Sequence, residues 1–402
     1  MSGPLDGVKV LDLTMNVMGP LATQILGDMG ADVIKLEPPE GEPMRTVGVK
    51  GLEPTLSSQF LHLNRNKRSL VLDLKAATAR DIIHRLLAWA DVLVTSQRPQ
   101  AMRRLGLGYE DAAAVNPKII YAAAFGYGQT GPYAAKPAYD DLIQAALGAP
   151  VLQAKPGEPP RFIATNIVDR TCGMALASAV GMALFHRERT GKGQSIEIPM
   201  FETMAQFIYG DHMFGETFRP AKAAPRYSRM LERRPFKTRD GWLGMLLFTD
   251  RHWQRFFDVL GESERIKEPP VQTMGMRIER IAEVTDFLER TLAARTTDDW
   301  LALLDKADVP AMAVRTPEEV MQDPHLRAVG FLREVDHPVA GPMTTFGIPS
   351  TWSDSQPDIR REPPLQGEHS AEVLAELGLA DSEIAALFEH RVSTDGRRTP
   401  RG

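Results

Sequence analysis

The sequence predicts an α/β fold: an open parallel sheet with helices on both faces, followed by a smaller α+β region. Short apolar runs alternate with helix-period segments through residues 8–199, and that alternation is the main signal. The chain has 402 residues, enough for two to three domains at roughly 150 residues each. Hydrophobic residues make up 43% and charged residues 25%, a globular composition that excludes disordered and fibrous classes.

Residues 8–13 read as a buried strand, 21–29 as a helix closed by Gly30, and 31–37 as a second strand. The alternation recurs with strand 69–74, helix 79–90, strand 91–95 and strand 119–125. Strands joined by helical crossovers run parallel and are covered on both faces. A long helix rich in Ala, Gly and Ser is expected over 170–189, then a turn at Gly191 and Gly193 and a strand over 195–199.

Composition changes after Phe201, and residues 212–240 read as a loop with Pro220, Pro225 and Pro235 that leaves the first domain. The loop carries a basic cluster of Arg226, Arg229, Arg233, Arg234, Lys237 and Arg239, suited to a dicarboxylate or to a subunit interface. Beyond it, helices 250–260, 278–294 and 297–306 and a strand 311–314 form the α+β region. Short strands follow Gly330, then helices 370–377 and 382–388, and the polar tail 391–402 is expected to fray.

The 47 basic and 52 acidic residues sum to −5, so neither nucleic acid nor an anionic membrane is expected as a partner. The single cysteine, Cys172, excludes an internal disulfide and fits a reducing, cytoplasmic setting. The start of the chain carries Asp6, Lys9 and Asp12 and has no signal-peptide core. The apolar run 173–185 is too short to span a bilayer.

Gly126-Tyr127-Gly128-Gln129-Thr130-Gly131 is a literal GxGxxG after a strand. A dinucleotide site needs a helix to begin inside the motif, and Pro132 and Pro137 prevent that, so no nicotinamide cofactor is expected. Serine-hydrolase, zinc-protease and P-loop signatures are absent. No histidine pair has metal-ligand spacing, and His62, His186 and His252 read as packed or surface residues; no metal is expected. Arg65, Lys67, Arg68 and Lys75 flank one strand, and Arg98, Arg103 and Arg104 follow another. Each group alone is a solvated rim; two groups at one sheet edge suit a phosphate-bearing ligand. Asp169 stands at the start of the small-residue helix as an N-cap. Helix capping is one role for it; a carboxylate held ionised by N–H donors and acting as a nucleophile is the other.

These residues resemble the class III coenzyme A transferases, the CaiB/BaiF family. The resemblance rests on segment 3–14 with Gly19-Pro20, Gly30-Ala31-Asp32-Val33-Ile34-Lys35, Asn64-Arg65-Asn66-Lys67-Arg68-Ser69 and Leu72-Asp73-Leu74-Lys75. Further matches are Arg104-Leu105-Gly106-Leu107-Gly108, Gly126-Tyr127-Gly128, Tyr139-Asp140, Asp169, segment 187–194, Asp336-His337-Pro338 and Gly367-Glu368-His369.

The resemblance implies transfer of coenzyme A from an acyl-CoA to a small carboxylic acid through an aspartyl anhydride and an aspartyl-CoA thioester, with Asp169 as nucleophile. It implies CoA contacts from Leu72, Asp73, Leu74 and Lys75 near the adenine, from Ser96, Gln97, Arg98 and Arg104 near the phosphates, and from Ala138 and Tyr139 along the pantetheine. Asn16 and Val17 would lie near the reacting centre. An Arg of some members falls on Pro38, its role passing to Lys35 or Arg45. The implied architecture is a Rossmann-like parallel sheet in a large discontinuous domain, 1–200 and 330–402, with a small domain, 201–329, and an interlocked homodimer. A racemase branch of the superfamily, acting on α-methylacyl-CoA, is the alternative; it uses a His where this chain has Tyr139, a poor base at neutral pH. A non-catalytic acyl-CoA-binding protein, with Asp169 only a cap, is the alternative from another class.

Overall fold

The computed structural model describes residues 3–154, 157–223 and 233–397. The first half runs β1 (Lys9–Leu13), α1 (Met18–Asp28), β2 (Asp32–Glu37), α2 (Ser58–Leu61), β3 (Lys67–Val71), α3 (Ala79–Trp89), β4 (Val92–Thr95), α4 (Pro99–Arg104), α5 (Tyr109–Val115) and β5 (Ile120–Phe125). It continues with α6 (Asp140–Ala146), α7 (Ala149–Gln153), α8 (Ile167–Thr190), β6 (Gln194–Pro199) and α9 (Met200–Tyr209).

The six strands form one parallel sheet in the order β3-β2-β1-β4-β5-β6. Val10, Leu11, Val33, Ile34, Val92, Leu93 and Val94 are all fully buried, as expected of strands covered on both faces. On one face, Ile82, Ile83, Leu86 and Leu87 of α3 pack with Leu11, Leu93 and Leu70. The same core takes in Val373 and Leu374 of helix Ser370–Glu376 and Ile384 and Leu387 of helix Asp381–Glu389. That shared core explains why residues 325–402 cluster with residues 1–206 as one compact unit, residues 207–324 forming the other.

Some boundaries differ from the expectations. β3 starts at Lys67 because that lysine pairs with buried Asp12 and the buried Arg68 side chain with the half-exposed Asp32, so both tolerate a strand interior. The helix α9 runs across Phe201, where composition changes, and ends at Tyr209, before the stretch 212–240 that reads as a loop. The tail is not frayed through Gly396: the Ser393 hydroxyl donates to Val71 O at 2.6 Å, and Asp73 N donates to Val392 O at 2.7 Å.

α8 spans 24 residues and, by length and composition, is long and apolar enough to cross a membrane, so the run 173–185 understated it. One side buries Val168, Cys172, Leu176, Val180 and Leu184 in the protein; Met174, Met182 and Phe185 on the other side are exposed in the single chain.

In the second unit, β7 (Phe236–Lys237), β8 (Trp242–Met245) and β9 (Ala311–Ala313) form an antiparallel sheet. Its core joins Trp253, Phe256 and Phe257 of helix Asp250–Leu260 to Leu288, Trp300 and Leu304. Of the basic cluster, Arg226 and Arg229 lie outside the described residues, and Arg234 pairs with Glu289 at 2.9 Å. The strands β10 (Leu332–His337) and β11 (Gly341–Phe346) form a hairpin in the first unit, where the His337 ring accepts N–H groups from Val339 and Ala340.

Candidate active site

The chain winds from β1 through β2 to β3 and then crosses back to β4, so the strand order reverses between β1 and β4. In open parallel sheets the crevice at the carboxyl ends of that strand pair receives the ligand. Here the end of β1 leads into Asn16 and Val17, and the end of β4 into Ser96. The Met15 N–H donates to Ser96 Oγ at 3.1 Å, which ties the two ends together. Asn16 has a left-handed φ of 67°, and buried Val17 is the N-cap residue of α1.

A buried ionic network fixes Thr14, two residues before Asn16. The N–H and hydroxyl of Thr14 both donate to Asp12, at 2.9 and 2.5 Å, and its carbonyl accepts Lys35 Nζ at 3.0 Å. Lys67 Nζ reaches Asp12 at 3.1 Å and Asn64 at 2.8 Å; Lys35 pairs with Glu42 at 3.0 Å, and Arg45 with Glu37 at 2.7 Å. Burial opposes the charge on Asp12, yet Lys67, Lys35 and the hydroxyls of Thr14 and Thr23 hold its carboxyl down at about 2.

This network corrects two expectations. Arg65, Lys67 and Arg68 are neither a solvated rim nor a phosphate site: Arg65 pairs with Asp28, and Arg68 with Asp32, Glu372 and Glu376. Lys35 and Arg45 likewise have carboxylates of this chain as partners.

Asp169 stands inside the first turn of α8, whose N-cap residue is Asn166. It is therefore not the cap. The N–H groups of Val168 and Asp169 instead donate to Asp140 Oδ2, at 2.8 and 3.0 Å. Asp140 opens α6 and is buried; its Oδ1 accepts Gln144 Nε2 at 2.7 Å, and Gln144 Oε1 accepts the Ile163 N–H at 2.9 Å. The backbone donors expected to hold Asp169 ionised thus serve Asp140. Burial, then the charge of Asp140, push the Asp169 carboxyl up to about 7, against the pull of Arg170.

One turn further, a Cβ on Gly173 would lie 2.7 Å from Met18 O, so the missing side chain lets α8 close on α1. Met18 follows Val17 directly, and the first turns of α8 adjoin the Asn16–Val17 turn. Cys172 is buried, its thiol pushed up to about 12 by burial and then by Asp169 and Asp140; it is a packing residue.

The expected CoA contacts divide. The Leu72 side chain is fully buried in the core and presents no surface. The Asp73 carboxylate accepts the Lys75 N–H at 3.0 Å; Leu74 is half-buried and Lys75 exposed. Gln97 N donates to Thr95 Oγ1 at 3.1 Å. Arg98, the N-cap residue of α4, and Arg104, its last residue, are exposed, and among the described residues neither has a carboxylate partner. Ala138 packs on Gly126, where a Cβ would lie 2.0 Å from the Ala138 Cβ, and Tyr139 is 64% exposed. The N–H groups of Gly128 and Gln129 donate to Glu202 and Glu197 at 3.0 and 2.9 Å, so these two amides of the glycine loop already serve carboxylates of this chain. Among the described residues, no three His, Cys, Asp or Glu side chains are grouped to hold a metal ion.

Asp140 and Gln144 were not picked out by sequence reasoning as partners of Asp169. The available signal was an acidic pair, Asp140-Asp141, opening a helix directly after Tyr139.

Residues 5–370 match the family model for CoA-transferase family III. The chain is 33% identical over 386 residues to a probable fatty acyl-CoA transferase of Mycobacterium tuberculosis, covering 92% of this chain and 98% of that protein. It is 30% identical over 420 residues to the formyl-CoA:oxalate CoA-transferase of Escherichia coli, covering 97% and 99%. A crystal structure of a mutant of the mycobacterial protein aligns with a TM-score of 0.84 at 32% identity, covering 93% of this chain and 99% of that one. A CaiB/BaiF family protein from Brucella suis aligns with a TM-score of 0.79 at 31% identity, covering 94% and 100%.

Proposed function

The chain belongs to CoA-transferase family III and is a transferase, and from that premise we propose that it moves coenzyme A from an acyl-CoA to a small carboxylic acid through Asp169. One observation carries the reading: the half-buried Asp169, its carboxyl raised to about 7, stands one turn before Gly173, where α8 closes on the start of α1. A poorly solvated, more basic carboxylate is a better nucleophile toward a thioester than one in water.

In this reading, Asp169 attacks the thioester carbonyl and expels the CoA thiolate, which leaves a mixed anhydride. The thiolate then attacks the Asp169 carbonyl, releases the donor acid and forms an aspartyl-CoA thioester. The acceptor carboxylate attacks that thioester to give a second anhydride, and the thiolate takes the acceptor acyl group, which regenerates Asp169. Each exchange keeps the acyl group activated, and the site must exclude water to avoid hydrolysis.

Lys75, Arg98 and Arg104 are the exposed cations that would take the CoA phosphates. Asp73, Leu74 and Gln97 would contribute along the same edge, where the Ser96 hydroxyl is taken by the Met15 N–H, and Ala138 and Tyr139 along the pantetheine. Leu72 is left to the core. The exposed apolar face of α8, with Met174, Met182 and Phe185, supports a second copy of this chain as partner, the interlocked homodimer of the family. Cytoplasmic localisation accords with the lone buried Cys172. The racemase alternative is set aside because the exposed Tyr139 stands where a basic His is needed.

The test is to offer a panel of acyl-CoA donors and carboxylic acids, score new thioesters by mass, and then add hydroxylamine to enzyme incubated with the productive donor. An Asp169 hydroxamate is expected in the peptide map. A hydroxamate on another residue, or none, overturns the assignment.

A further inference from the structure

The contact between α6 and the start of α8 goes further than capping a helix, and its consequence rests on the reading of Asp169 as the nucleophile. We propose that Asp140 is a positioning residue for Asp169: its carboxylate takes the two amide N–H groups at the start of α8 and so leaves the Asp169 carboxylate without backbone donors.

The geometry is specific. An acid in the first turn of a helix ordinarily gains from the free amides and the helix dipole, both of which favour its ionised form. At α8 those amides, on Val168 and Asp169, point at Asp140 Oδ2 at 2.8 and 3.0 Å. Asp140 is locked in turn, since Gln144 Nε2 donates to its other oxygen at 2.7 Å and Gln144 Oε1 accepts Ile163 N at 2.9 Å. Both oxygens of Asp140 are therefore engaged, and it holds the first turn of α8 while setting a second negative charge beside Asp169.

The other groups facing Asp169 do not offset this. Arg170 is the next residue on α8 and its pull is the weakest of the three influences; Cys172, on the same helix, is kept as the neutral thiol. The first turn of α1 carries no acidic residue, and Met18, Gly19 and Pro20 there are uncharged. From β6 and α9, Glu197 and Glu202 are bonded to the glycine loop. His62 feels Arg170 rather than Asp169 and is held neutral by burial first. Asp140 is thus the group whose removal changes the charge environment of the nucleophile.

The test needs no acyl-CoA. Asp169 is labelled with a water-soluble carbodiimide and glycinamide, which react through the protonated carboxyl, and labelling is quantified by peptide mass from pH 4 to pH 9. In the wild type the midpoint is expected near pH 7. Asp140→Asn keeps an acceptor oxygen for the two amides but removes the charge, and should lower the midpoint by about 1 in pH. Asp140→Glu restores the charge and should keep the midpoint near the wild-type value. A wild-type midpoint in the ordinary carboxylate range, or an unmoved midpoint in Asp140→Asn at whatever melting temperature, overturns the proposal. Should Asp140→Asn fail to fold, Asp140→Glu decides alone: a midpoint fallen to the ordinary carboxylate range overturns it. An enzyme that shows these shifts but forms no Asp169 hydroxamate would defeat the functional reading and leave this inference standing.

Discussion

Ser96 Oγ accepts the Met15 N–H at 3.1 Å and so joins the ends of β4 and β1 where the strand order reverses. The next residue is Asn16, in a left-handed conformation that asparagine tolerates better than other non-glycine residues. Ser96→Ala removes that tie. It should cost about 1 kcal/mol of stability, and by loosening the turn beside Asp169 should lower kcat about tenfold. The acyl-CoA KM should stay within about twofold, because the hydroxyl is already engaged by the chain itself. Steady-state kinetics separate the two roles: a KM effect with unchanged kcat would make Ser96 a direct CoA ligand.

Asp169→Asn should abolish transfer and, at neutral pH and above, stabilise the fold. The folded carboxyl sits near 7, well above its ordinary value of 3.8. Below about pH 4 it is protonated in both folded and unfolded chains and contributes nothing. Above pH 7 it is ionised in both, and the full cost of burying charge beside Asp140 is present. The amide lacks that charge, so the gain should be absent at pH 4 and reach about 1–2 kcal/mol at pH 8, after allowance for solvent screening. Urea midpoints at the two pH values measure it. A gain that does not grow with pH would contradict the electrostatic account. For the wild type, kcat/KM should fall about tenfold per pH step below 7 as the nucleophile is protonated.

The sheet was legible because its strands are apolar on both faces, as in the fully buried Val92, Leu93 and Val94, and the intervening helices carry the usual period. The charged residues were not. Arg68 reads as a surface cation until Glu372 and Glu376, some 300 residues away in the chain, arrive against it. Asp169 was picked out by type and place, but its partner Asp140 lies 29 residues earlier on another helix. Periodicity reports which face of an element is buried. It carries no information about which distant carboxylate completes a pair, and those pairings set the charge of the site.

Arg104→Ala tests the CoA assignment at the end of α4. Arg104 is exposed and has no carboxylate partner among the described residues, so its loss should leave stability within about 0.5 kcal/mol. A cation that grips a phosphate far from the thioester contributes binding shared by ground and transition states. The KM for acyl-CoA should therefore rise about three- to tenfold with kcat nearly constant, and the effect should shrink at high salt. An unchanged KM would remove Arg104 from the CoA site.

Lys67→Met tests the network beneath the Asn16 turn. Lys67 and Asp12 are both fully buried and 3.1 Å apart, so deleting the cation strands a carboxylate that also holds Thr14 and Thr23. Breaking one side of such a pair should cost about 3–5 kcal/mol, and adding Asp12→Asn should recover part of that loss because no uncompensated charge remains. The wild-type pair has its own pH signature. The folded Asp12 carboxyl sits at about 2, below its ordinary 3.8, so its stabilisation is fully present above about pH 4 and is lost as pH falls through 2. In Lys67→Met the depression should vanish, and denaturant midpoints should fall less steeply between pH 4 and pH 2 than in the wild type. Equal slopes would mean that Lys35 and the two threonine hydroxyls hold Asp12 ionised without Lys67.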